Sequence, residues 1–176
     1  MAQIDLLTVK GLVRDIPDFP KKGIIFKDIT PALAAAGALA FICTELAKPF
    51  QNKGISKVLA VESRGFFFGT GIAERLGAGL IPIRKAGKLP WETLTESYAL
   101  EYGEATLEIH RDSVKKGERI LIVDDVLATG GTLRAASKLV ERLGGDTIGA
   151  TCFIEIAFLN GRAGLAPLLV HSLWAV

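Results

Sequence analysis

The apolar segment Arg119 to Val123 ends in two adjacent carboxylates, Asp124 and Asp125, and soon reaches Ala128-Thr129-Gly130-Gly131-Thr132. The apolar part reads as a buried strand, and the small residues after it as a turn into a helix. Such a turn leaves backbone N–H groups unpaired and the helix N-terminus adds positive potential, so the segment reads as a phosphate cradle. Gly130 and Gly131 let the backbone approach a phosphate with no Cβ in the way, and Thr129 and Thr132 add hydroxyl donors. No lysine follows the glycines, unlike the nucleotide-triphosphate loop, and their spacing is not that of a dinucleotide site. The paired aspartates point to a sugar. Carboxylates at a strand end diverge, and each accepts hydrogen bonds from a ribose hydroxyl; they also suit magnesium, directly or through water. The plainer alternative is an ordinary strand-to-helix turn with a solvated acidic pair.

Three more segments carry chemistry. Glu62-Ser63-Arg64-Gly65 follows the apolar run Lys57 to Val61, so it too belongs at the top of a sheet. The Arg64 guanidinium can fork onto phosphate oxygens, with turn N–H groups assisting; the alternative is a surface ion pair. Arg84, Lys85 and Lys88 place three cations within five residues, beside Gly87 and Pro90, either as a solvated basic loop or as a lid closing over an anion. Phe26 is suited to stack on a planar base or to fill a core. His110 and His171 have no partner at ligand spacing, and Cys43 and Cys152 read as buried reduced thiols.

The elements that position these groups alternate strand with helix, the order of an α/β domain with a mostly parallel central sheet flanked by helices. Ile4 to Val13 reads as an opening helix. Asp15 to Asp28 reads as a loop with an extended piece at Ile24 to Phe26. Thr30 as N-cap and Pro31 start a helix predicted to reach about Phe50. Strands are predicted at Lys57 to Val61, Leu80 to Ile83, Arg119 to Val123, Thr147 to Ile156 and Leu168 to Ser172. Helices follow at Phe66 to Leu76 and Thr132 to Leu143. Lys85 to Thr95 reads as a mobile loop, and Ser97 to Ile109 as a β-hairpin turning at Gly103-Glu104.

The chain of 176 residues suits one domain, with 49% hydrophobic and 23% charged residues. A net charge of +2 is too small to argue for nucleic acid. The start has no secretory pattern, and no apolar run is long enough to span a bilayer. The cytoplasm is therefore the expected location.

The loop from Asp124 to Thr132 resembles the phosphoribosyl pyrophosphate (PRPP) signature of the type I phosphoribosyltransferases. The resemblance implies that Ala128, Thr129, Gly130, Gly131 and Thr132 hold the ribose 5′-phosphate and that Asp124 and Asp125 hold the ribose hydroxyls. Other segments resemble the adenine phosphoribosyltransferase family over almost the whole chain. Asp18-Phe19-Pro20 and Gly23 to Pro31 look like its base-binding segment, Glu62 to Phe66 like its pyrophosphate loop, Arg84 to Pro90 like the start of its lid, and Leu100-Glu101-Tyr102-Gly103 like the lid's return strand. Two departures stand out: Lys27, where the family often has arginine, and the bulky Trp91-Glu92 in the lid.

The resemblance implies a small amino-terminal base-binding hood over residues 1–31 and a flexible hairpin lid over 84–110. It implies a cis peptide between Glu62 and Ser63, with Glu62, Ser63, Arg64, Arg84, Lys85 and Lys88 at the pyrophosphate. It places adenine against Ile25, Phe26, Lys27 and Leu159, and gives Glu101, with Tyr102, to the chemistry. Adenine and PRPP would give AMP and pyrophosphate, with magnesium carried by PRPP, in a homodimer. A related transferase for hypoxanthine, guanine or xanthine is the nearest alternative. A PRPP-sensing regulator that binds nucleic acid is another, but it should carry a DNA-binding module. Fewer than ~20 residues precede the base-binding segment, and small independent domains need about 40.

Overall fold

From residue 57 onward strand and helix alternate, apart from a hairpin inserted over residues 93–110, because apolar runs too short for helices are separated by amphipathic segments and glycine stops. The computed structural model describes residues 4–99 and 104–176. They divide into two compact units, one ending at Cys43 and the other running from Thr44 to Val176.

In the amino-terminal unit, α1 (Leu6–Leu12) is capped by Asp5, whose carboxylate accepts the Thr8 N–H at 2.8 Å. Strands β1 (Arg14–Pro17) and β2 (Ile25–Asp28) form an antiparallel ribbon, from Arg14 opposite Asp28 to Pro17 opposite Ile25. The first of these was expected to be loop, since Pro17 lacks an N–H; a ribbon with open edges tolerates proline. Ion pairs Arg14–Asp28 and Lys27–Asp15, at 2.8 and 2.7 Å, tie the strands together. The expected helix from Thr30 to Phe50 is broken. α2 (Thr30–Ala34) stops at Ala35, Gly37 takes a left-handed φ of +83°, and α3 (Ala38–Ala47) starts afresh before a 3-10 turn at Lys48–Phe50. Thr30 is the first helical residue rather than the cap. Asp28 accepts its N–H and its hydroxyl at 2.9 and 2.7 Å.

The second unit is built on a seven-stranded sheet. Its strands are β3 (Lys57–Val61), β4 (Gly79–Lys85), β5 (Thr93–Ala99), β6 (Glu104–His110), β7 (Arg119–Leu127), β8 (Asp146–Glu155) and β9 (Leu169–Ala175), and their spatial order is β5-β6-β4-β3-β7-β8-β9. The five from β4 to β9 in that order run parallel; the β5–β6 hairpin joins the β4 edge antiparallel. The hairpin arms are longer than expected, which shortens the lid loop to residues 86–92. α4 (Gly65–Leu76) connects β3 to β4, and α5 (Gly131–Arg142) connects β7 to β8. The two connections leave the middle of the sheet in opposite directions, so right-handed crossovers put the helices on opposite faces. Side-chain alternation agrees. Leu59, Val61, Ile120 and Ile122 join the α5 residues Leu133, Ala136 and Val140 in one core. Ala60 points the other way, toward Gly69 of α4, and on that face Phe68 packs on Phe153 with ring centroids 5.7 Å apart.

Gly69 is required by space. A Cβ there would lie 2.5 Å from the Ala60 Cβ. Gly69→Ala is expected to push α4 off β3 and cost about 1–3 kcal/mol, as overpacking does. The matched control is Gly11→Ala in α1, where an added Cβ meets nothing within 4 Å and alanine favours the helix. Thermal unfolding of the two variants checks the difference; equal melting points would refute this packing.

Candidate active site

Because the chain leaves β3 and β7 in opposite directions, a crevice opens at their carboxyl ends, where ligands gather in open α/β sheets. After β3 come Glu62 and Ser63, joined by a cis peptide, then Arg64 and the first turn of α4. Gly65 lies so close to β7 that a Cβ would be 2.8 Å from the Val123 carbonyl oxygen and 3.2 Å from the Asp124 Cα. The two expected ligand loops thus meet. They line one cleft of about 540 Å³ with Arg64, Asp124, Asp125 and Thr132 among its walls.

β7 continues four residues past the expected Val123, to Leu127, so both aspartates lie within the strand and are buried, at 8% and 5% exposure. Burial raises the pKa of Asp124 well above the usual carboxylate range, and the Asp125 charge raises it further. Burial also raises that of Asp125, against the opposing pull of Arg64. Arg64 Nε lies 2.8 Å from Asp125 Oδ2, as an ion pair rather than an aligned hydrogen bond. The Asp125 N–H donates to Asp124 Oδ1 at 2.8 Å. The pair is an acceptor set short of donors, suited to hydroxyl groups or to a hard cation.

Gly130 holds the turn from β7 into α5 with a left-handed φ of +80° and serves as the helix N-cap, so the first N–H groups of α5 lie outside its hydrogen-bond ladder. Thr129 is exposed and Ala128 half-buried. The Thr132 hydroxyl donates to Tyr98 Oη at 3.3 Å.

The cationic segment is held by two carboxylates. Glu62 accepts from Arg84 at 3.3 Å, from the Lys85 N–H at 2.9 Å and from Lys88 Nζ at 2.5 Å. Glu108 accepts the Lys88 and Leu89 N–H groups at 2.6 and 2.7 Å. Burial alone would raise the pKa of Glu62, but Lys88, the Lys85 N–H and Arg84 together outweigh it and lower it to about 2.

Of the other expected site residues, Ile25, Phe26 and Lys27 lie in β2. Phe19 stands edge-on to Phe26, centroids 5.2 Å apart, and the Lys27 ammonium is committed to Asp15. Leu159 is half-buried in a 3-10 turn, Ala157–Leu159. Glu101 and Tyr102 lie outside the described residues, and Trp91 is exposed. His110 and His171 are half-buried, and both cysteines are buried free thiols. Sequence reasoning missed Tyr98 and Glu108. Tyr98 alternates into the cleft from β5; Glu108 stands out only as a carboxylate between Leu107 and Ile109.

The phosphoribosyl transferase domain model matches residues 26–166. The adenine phosphoribosyltransferase of Thermobifida fusca (strain YX) is 54% identical over 164 residues, 93% of this chain and 93% of its own. This chain belongs to the adenine phosphoribosyltransferase family. The crystal structure of a family member from Thermoanaerobacter pseudethanolicus matches with a TM-score of 0.95 at 49% identity, covering 98% of this chain and 100% of that one. The Saccharomyces cerevisiae member, crystallised with D-2,5-dideoxy-2,5-imino-altritol 1,6-bisphosphate and adenine, matches with a TM-score of 0.87 at 37% identity, over 95% of this chain and 97% of that one. The fold class expected from the sequence is the one found.

The Glu62 clamp makes a pH-dependent contribution to stability. Its folded pKa is depressed to about 2, so the contribution is complete above the ordinary glutamate range and is lost as pH falls toward the folded value. Glu62→Gln is expected to lower the melting temperature at pH 7 and to do so much less at pH 3. A melting-point gap that is the same at both pH values would show that the charge of Glu62 does not anchor the segment.

Proposed function

We propose that the chain transfers the 5-phosphoribosyl group of PRPP to adenine, giving AMP and pyrophosphate. The observation that carries this reading is the single cleft at the ends of β3 and β7, where a phosphate-type turn, a buried acidic pair and a cationic segment converge. In this reading the 5′-phosphate sits on the N–H groups of residues 128–132, and the ribose 2′ and 3′ hydroxyls donate to Asp124 and Asp125. Pyrophosphate meets Ser63, Arg64, Lys85 and Lys88, with Glu62 and Arg84 shaping that wall. Adenine is assigned to the family's base-binding segment, with Phe26 stacking and the main chains of Ile25 and Lys27 reading its edge.

The C1–O bond to pyrophosphate breaks as the ribose gains oxocarbenium character, and adenine N9 attacks from the opposite face, inverting the carbon. The departing electron pair stays on pyrophosphate, and the N9 proton passes to a base, for which Glu101 is the candidate, with Tyr102 positioning. The protein's tasks are alignment and charge stabilisation. Two buried oxygen ligands with few donors fit a magnesium ion that keeps several waters and arrives with PRPP. When bound, the ion offsets the charge of the leaving pyrophosphate.

The homodimer implied by the family resemblance and a cytoplasmic location complete the proposal. No helix among the described residues is long and apolar enough to cross a membrane.

Turnover with PRPP, magnesium and each nucleobase separately, followed by pyrophosphate release, tests the reading: release is expected with adenine alone. Release with another base would overturn the base assignment, and none with any base would overturn the activity. Asp124→Asn relieves the repulsion within the buried pair. It is expected to cut turnover by roughly 100-fold, about 2.7 kcal/mol, while raising the melting point of the ligand-free protein. A variant that retained full activity would remove Asp124 from the ribose site. Tyr98→Phe, which deletes the Thr132 contact, is expected to raise the PRPP KM a few-fold with little change in kcat; unchanged kinetics would leave Tyr98 without a role at the phosphate turn.

A further inference from the structure

The phosphate turn is supported from behind by a segment outside the PRPP motif. Residues 128–130 leave the sheet from β7 and residues 156–162 leave it from the adjacent β8. Leu127 and Glu155 are register partners, and the Ile156 N–H donates to the Leu127 carbonyl at 2.8 Å. Where the two loops pass, they touch backbone to backbone. A Cβ on Gly161 would lie 2.0 Å from the Ala128 carbonyl oxygen and 2.8 Å from the Gly130 nitrogen, and a Cβ on Gly130 would lie 2.5 Å from the Gly161 carbonyl oxygen. Gly130 needs to be glycine for its left-handed φ as well, but the backbone of Gly161 is not left-handed. Space alone demands glycine there.

The segment bearing Gly161 is in turn fixed by its neighbour. Arg162 donates through Nε to Glu155 Oε1 at 3.0 Å and through an Nη to Glu155 Oε2 at 2.5 Å, the bidentate arrangement that fixes direction as well as charge. It also donates to Ser172 Oγ at 3.1 Å and to the Val170 carbonyl. The Ser172 hydroxyl closes the ring by donating to Glu155 Oε2 at 2.5 Å. One side chain therefore ties the turn to the end of β8 and to the first half of β9.

We propose that Gly161, held by the Arg162–Glu155–Ser172 cluster, is a buttress that sets the shape of the 128–130 turn, and that these four are positioning residues for the 5′-phosphate of PRPP. None of them is among the groups assigned above to contact the substrate. The proposal rests on the reading of that turn as the phosphate site. A displaced turn loses N–H contacts made equally in the ground state and in the transition state, so the loss falls on KM rather than kcat.

The test compares wild type with Gly161→Ala, Ser172→Ala and Arg162→Lys, measuring kcat, KM for PRPP and for adenine, and calorimetric affinity for ribose 5-phosphate and for pyrophosphate. Gly161→Ala is expected to raise the PRPP KM at least tenfold, with kcat within about twofold of wild type. Ribose 5-phosphate affinity should weaken in parallel, and pyrophosphate affinity should not. Ser172→Ala and Arg162→Lys should show the same pattern more weakly, and they carry the test if Gly161→Ala does not fold. Wild-type kinetics and ribose 5-phosphate affinity in the folded variants, or an equal loss for pyrophosphate, would overturn the buttress. Failure of the proposed function reads differently: the wild type itself would release no pyrophosphate, while its ribose 5-phosphate affinity would still report on the turn.

Discussion

Two carboxylates buried side by side in one strand are the constraint around which the second unit is arranged. Asp124 and Asp125 sit where burial disfavours charge, and the Asp125 charge disfavours that of Asp124 further. Such a pair persists only if something nearby is built to meet it. Arg64 supplies one opposing charge, and it does so because α4 begins hard against the end of β7, where Gly65 leaves no side chain to keep them apart. The remaining acceptor capacity faces the cleft. A site that holds its acceptors short of donors is strained without substrate, and hydroxyl donors or a hard cation relieve it.

The surrounding groups follow the same logic with the sign reversed. Arg84, Lys85 and Lys88 crowd positive charge at the end of β4, and Glu62 and Glu108 keep that segment in place by accepting from its side chains and its backbone. Positive and negative clusters therefore stand at the ends of β4 and β7, on either side of β3. An anionic leaving group beside a ribose requires this division: acceptors where hydroxyls bind and donors where phosphate oxygens collect. The sheet topology provides it cheaply, because the reversal between β3 and β7 brings two loops of different chemistry to one crevice without a long connection.

Behind the turn at residues 128–130 the demands are steric. Gly130 and Gly161 let two backbones lie against each other, and the ion pair of Arg162 with Glu155 anchors the second of them at the end of β8. A loop that offers N–H groups to an anion has no side chains with which to stiffen itself, so its rigidity has to come from contact with a neighbour.

Much of this was legible in the chain itself. The acidic pair with Thr129-Gly130-Gly131-Thr132, the Glu62 to Gly65 turn and the cations from Arg84 to Lys88 announce themselves because phosphate chemistry needs those residue types close together in sequence. Strand and helix order followed from apolar runs and glycine stops. Where the reading failed, the causes differed: β1 formed despite Pro17 because β2 was there to pair with it, and the helix after Thr30 stopped at Ala35, ahead of the left-handed Gly37, although its apolar face continued. Tertiary structure alone decided that β7 runs on through both aspartates, that Glu62 and Glu108 clamp the cationic segment, that Tyr98 reaches Thr132, and that Gly161 lies against Ala128. Those contacts join residues 19 to 34 positions apart, and no local pattern records which glycine or carboxylate a folded sheet will bring to a given turn.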